Sequence, residues 1–111
     1  MTGWRDEGIA LTSNQLFALC QAAGVNHLIY AGFAINWCLL LSGGGMADLQ
    51  IRRRLICSAF RQAVTAVENK ETARREGMKE AALWRVATNF GFVFDVPEFI
   101  ADIAANESSK I

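Results

Sequence analysis

Chemistry in this sequence starts from its three thiols, Cys20, Cys38 and Cys57. They have no C-x-x-C spacing and are odd in number, so they indicate neither a zinc site nor a closed disulfide framework. No metal-binding or cofactor-binding residues are assigned; reduced thiols in a cytoplasmic protein are expected. Cys20 lies on an apolar helical stripe and Cys57 inside an apolar run, where a free cysteine packs as a small hydrophobe. Cys38 differs in placement. It follows a glycine-punctuated turn after an apolar run, where a helix N-terminus offers free amides that favour a thiolate. Placement alone still leaves burial as its commoner fate. A cysteine nucleophile also needs a base or cation beside it. The sole histidine, His27, starts the strand whose far end leads to Cys38, a separation on the order of 15 Å. An intrachain Cys-His pair is therefore not expected, and His27 reads as a surface or hydrogen-bonded residue.

The elements that must place Cys38 follow from periodicity and punctuation. Thr12-Ser13-Asn14-Gln15 has the form of a capping box, and Leu16, Leu19, Cys20 and Ala23 recur as one helical stripe closed by Gly24. His27 to Ala31 is a short apolar run suited to a buried parallel strand. Asn36 to Leu41 reads as a second helix, irregular where Gly43, Gly44 and Gly45 weaken it, with Met46 to Ile51 able to continue it. Leu55 to Phe60 is the next strand and Arg61 to Asn69 a connection. Glu71 to Phe90 is expected to be one long helix, ended by Gly91. Phe92 to Phe94 forms a third strand, and Asp95 with Glu98 caps a last helix from Pro97 to Ala105. Alternation of this kind predicts a three-layer α/β fold: a parallel sheet of about three strands, right-handed crossovers and helices on both faces.

The bulk composition bounds the function. The 111 residues are 52% hydrophobic and 20% charged with one proline, which predicts one globular domain over 1–111 with flexible ends at 1–11 and 106–111. Eleven acidic and eleven basic side chains cancel to zero net charge, so no long-range field favours nucleic acid or anionic lipid. Arg52-Arg53-Arg54 runs straight into apolar residues and reads as a solvated turn. Val25 to Leu41 is apolar but is interrupted by Asn26, His27 and Asn36 and closed by glycines, so no membrane span is expected. The first seven residues carry both charge signs and no apolar core, unlike a signal peptide.

The segment Gly32-Phe33-Ala34-Ile35-Asn36-Trp37-Cys38, preceded by the run Val25 to Ala31, resembles the strand-turn-nucleophile segment G-x-x-T-x-x-C of isochorismatase-like cysteine hydrolases. Ile35 stands in the threonine place. The likeness continues through Leu55 to Val67, where Gln62 takes the place of an aspartate, and on from Gly91 to Ile103. It implies half of a Rossmann-type fold, the C-terminal half, with Cys38 as the nucleophile's counterpart. It also implies a non-proline cis peptide before Ala34 and an oxyanion hole from the backbone amides of Ala34 and Cys38. Members act on amide, imide or vinyl-ether groups with an aspartate, a lysine and the cysteine; the first two come from preceding strands. Here only Arg5 and Asp6 are offered ahead of the first helix, off any strand end.

With two of three catalytic groups missing, the residues favour a truncated, non-catalytic homo-oligomeric or binding module with room for a small-molecule ligand. The alternative is a cysteine-dependent hydrolase of small amide-like substrates whose site another chain completes; a gene fragment without selected activity stands third. A strand at Leu28 to Ala31 without its inner neighbour presents an open edge, so a homodimer through that edge or adjacent helices is expected. Phe33, Trp37 and Met46 are the candidate contacts, or equally core residues.

Overall fold

The computed structural model describes residues 8–109. Arg5, Asp6 and most of the ends expected to be flexible therefore lie outside the described residues, while 106–109 belong to the last helix. Helix α1 spans Ser13–Ala23, strand β1 His27–Gly32, helix α2 Cys38–Leu41, a wide helical turn Asp48–Arg52, strand β2 Ile56–Val64, helix α3 Gly77–Arg85, strand β3 Val93–Phe94 and helix α4 Val96–Ser109. The strands form one parallel sheet in the order β1-β2-β3, flanked by helices. This is the α/β arrangement that the sequence predicts, with β1 at one edge of the described strands. No described helix is long and apolar enough to cross a membrane.

Local chemistry explains most boundaries. Thr12 Oγ1 accepts the Gln15 amide while the Gln15 side chain accepts the Thr12 amide, and Gly24, at φ +69°, closes α1 in the left-handed region. Helix α2 is shorter than expected because Asn36 spends its side chain on Val67. The expected helix over 71–90 is divided. Asn69 and Thr72 form a local turn, Ala73–Arg75 makes one 3₁₀ turn, Glu76 turns left-handed at φ +51°, and α3 begins only at Gly77. Its first amides are taken by a distant residue: Glu68 accepts from Met78 and Lys79 at 2.8 and 2.9 Å. After Arg85 the helix widens over Val86–Phe90, where the Thr88 hydroxyl bonds back to the Trp84 and Arg85 carbonyls. Strand β2 runs past the expected Phe60 because Arg61 and Gln62, polar residues that break the apolar run, are tied to Glu80 and Asp95.

One face of the sheet carries the core. Register places Leu28 beside Cys57 and Tyr30 beside Ala59, and strand alternation puts all four on the same face. Cys20 from α1, Met46, Leu49, and Leu83 and Val86 from the α3 segment join Cys57 and Ala59 in the buried cluster. The handedness of crossovers accounts for this: β1 to β2 to β3 steps in one direction, so right-handed connections fall on one face. The opposite face carries His27, Ile29, Ile56, Ser58, Phe60 and Phe94 and meets α4 through Phe99, whose ring lies 5.0 Å from Phe60 and 5.7 Å from Phe94. Gly91 is required by close approach, since a Cβ there would sit 2.5 Å from the Cys57 carbonyl oxygen.

Candidate functional site

Cys38 is the first residue of α2 and is exposed. The turn that presents it is anchored to the exit of β2. Thr65 donates its amide to the Gly32 carbonyl at 3.2 Å and accepts the Ile35 amide on its own carbonyl at 2.7 Å. Two residues on, Asn36 and Val67 exchange hydrogen bonds at 3.1 and 2.9 Å, an amide side chain standing in for a strand pair. Ile35, in the threonine place of the family pattern, is fully buried and pins the turn by packing instead of by a hydroxyl. Phe33 and Trp37 on either side are exposed, whereas Met46, proposed with them as a contact, is fully buried in the core.

Ala34 occupies the left-handed region at φ +61°, a conformation that costs a β-carbon residue free energy and persists only where neighbours enforce it. Its carbonyl accepts from the Trp37 and Leu39 amides, at 2.9 and 3.2 Å, and its amide faces Thr65 Oγ1 at 3.4 Å. The cis peptide implied by resemblance is not found, since no cis bond occurs among the described residues. Helix α2 is a single turn of four residues, so it aligns few peptide dipoles behind Cys38.

The other candidate groups are committed elsewhere. His27 Nε2 lies 2.6 Å from Ser58 Oγ, which also accepts the Phe92 amide at 2.8 Å. The ring also lies beside Phe92 and Phe94, at 6.1 and 6.0 Å. One buried serine thus ties β1 and β2 to the residue that leads into β3, at the end opposite Cys38. Sequence reasoning missed Ser58; a hydroxyl inside an apolar strand was the available signal. Gln62, at the family's aspartate place, donates to Asp95 at 2.6 Å and accepts the Val96 amide at 2.9 Å, tying β2 to the start of α4. Asp95 also accepts the Glu98 amide, the capping role expected of it.

Cys20 and Cys57 are buried, and burial raises both thiol pKa values, the reverse of activation. Among the described residues no group of three or more His, Cys, Asp or Glu side chains is placed to hold a metal.

No family model matches the sequence, and no solved structure matches it. Among curated proteins, the chain is similar to the ureidoacrylate amidohydrolase RutB of Serratia proteamaculans (strain 568), with 27% identity over 93 residues. The match takes in 84% of this chain and 34% of that protein, so the chain spans about a third of its relative's length. The likeness supports a distant relationship to isochorismatase-family hydrolases, the family that the Gly32 to Cys38 segment resembles.

Proposed function

We propose that this chain is a non-catalytic homo-oligomeric or binding module descended from an isochorismatase-like hydrolase. The observation that carries this reading is the commitment of His27. The sole histidine is bound to Ser58 at the end of the sheet opposite Cys38, so it is not a base for that thiol. Asp95, at the same sheet end as Cys38, is occupied by Gln62 and by capping α4. A cysteine nucleophile needs a base or cation to shuttle a proton to the leaving group, and these two described residues are committed elsewhere.

One observation favours a second reading, a hydrolase completed by another polypeptide: the turn keeps Cys38 exposed on a fixed support, with Ala34 held left-handed beside it. The two readings part on reactivity. Iodoacetamide labelling followed by mapping of the product should alkylate Cys38 no faster than a free cysteine between pH 6 and 9. The isolated chain should not hydrolyse ureidoacrylate above the level of a Cys38→Ser variant. Hydrolysis that depends on Cys38, or labelling tenfold faster than a free thiol near neutral pH, would overturn the non-catalytic reading.

A further inference from the structure

The outer face of the sheet is only partly covered. Its residues His27, Ile29, Ile56, Ser58, Phe60 and Phe94, together with Phe92, include no Asp, Glu, Lys or Arg. Ile56 and Phe92 remain 40% and 57% exposed. A helix about 10 Å across covers roughly two strands spaced about 4.8 Å apart. Helix α4, seated on Phe60 and Phe94, covers the β2–β3 part of this face; beside it Ser58 is fully buried and His27 and Ile29 are half-buried, while Ile56 and Phe92 stay exposed. The radius of gyration, 15.1 Å, exceeds the roughly 13 Å typical of a compact chain of about this length.

Helix α4 has apolar surface to spare. Val96, Phe99, Ile100 and Ile103 fall on one stripe, yet Ile100 and Ile103 are 60% and 47% exposed while Phe99 meets the sheet. Each chain thus holds both an apolar strip of sheet exposed at Ile56 and Phe92 and a helix with an unused apolar flank. We propose that these are the two halves of an isologous contact between two copies of this chain, with α4 of each copy lying on the β1–β2 part of the other's sheet. The arrangement gives each sheet a second helix of matching chemistry beside its own. It closes under two-fold symmetry, and it needs no charge pairing, which suits a face without charges. The inference rests on the reading of the chain as an oligomeric module, but its test does not involve Cys38.

Sedimentation equilibrium of the full 111-residue chain between about 1 and 100 µM tests it. The expected species is a dimer. The double substitution Ile100→Glu with Ile103→Glu, and separately Ile56→Glu, should weaken self-association roughly tenfold or more and leave the far-UV circular dichroism unchanged, because all three side chains are already exposed. A monomer at the highest concentration would leave the face to a different polypeptide and overturn the proposal. So would assembly beyond a dimer, or a dimer that survives both sets of substitutions. Dissociation by Phe33→Glu without any effect of the α4 substitutions would move the contact to the β1 edge and overturn it equally.

Discussion

A thiol's surroundings decide whether it reacts or packs, and the three cysteines divide on that line. Burial pushes the Cys57 thiol up to about 11; the hydrogen bond with Tyr30 opposes the rise and the neighbouring Cys20 adds to it. Tyr30 is raised too, chiefly by burial, and donates its hydroxyl to the Gly44 carbonyl. A raised folded pKa on an acid means that the fold holds the neutral form. The stability this contributes is complete below the ordinary thiol value of 9.0 and is lost as pH climbs through about 11. Denaturant unfolding should show stability falling by on the order of 2 kcal/mol across that window. A Cys57→Ala variant should lose less over the same span, Tyr30 supplying the remainder; an identical slope in both would refute the assignment. The burial of Cys20 and Cys57 was legible from helical spacing and from an apolar run. The roles of Ser58, Thr65 and Asn36 were not, because each depends on a partner about thirty positions away, as with His27 and Ser58 at a separation of 31. Tertiary juxtaposition of that kind leaves no periodic trace.

Elements with self-contained start and stop signals were the ones that could be read. Helix α1 carries its cap in Thr12 and Gln15 and its stop in Gly24, and the structure reproduces it. Helix α3 was misplaced because its N-terminal partner is not local: Glu68, ten residues before Met78, accepts the Met78 and Lys79 amides. Partial desolvation works to raise the Glu68 pKa, but those amides and the Thr72 hydroxyl outweigh it and hold the carboxyl below its ordinary range. A depressed folded pKa on a carboxylate places its stabilising effect above the unfolded value, and the effect is lost as pH falls through the folded one. Wild type should therefore be more stable than Glu68→Ala at neutral pH, and the difference should shrink as pH falls below the ordinary carboxylate value of 4.5. Amide exchange at Met78 and Lys79 should quicken in the variant at neutral pH. An advantage that persists unchanged into acid would mean that Glu68 acts by packing and not as a charged cap.

At the scale of the whole molecule, alternation of strand and helix was sufficient to predict a parallel three-stranded sheet, because few other arrangements bury such elements. Alternation does not report how evenly the two faces are covered. That follows from strand order: with β1, β2 and β3 side by side in sequence, both crossovers fall on the core face, and among the described helices α4 is left for the other. A sheet with one face so thinly covered gains by association, and the gain has a thermodynamic signature that does not depend on knowing the contact residues. If the folded state is a dimer and the unfolded state a monomer, mass action stabilises the fold as concentration rises, by about 2.7 kcal/mol per dimer for a hundredfold increase. At the usual entropy of unfolding this raises Tm by roughly 5–10 °C between about 1 and 100 µM. Calorimetry should record that rise for the native chain. With Ile100→Glu and Ile103→Glu, Tm should lie lower and move less with concentration, because a larger share of the chain unfolds as a monomer. A native chain whose Tm is independent of concentration would mean that the apolar face is stable in water without a partner.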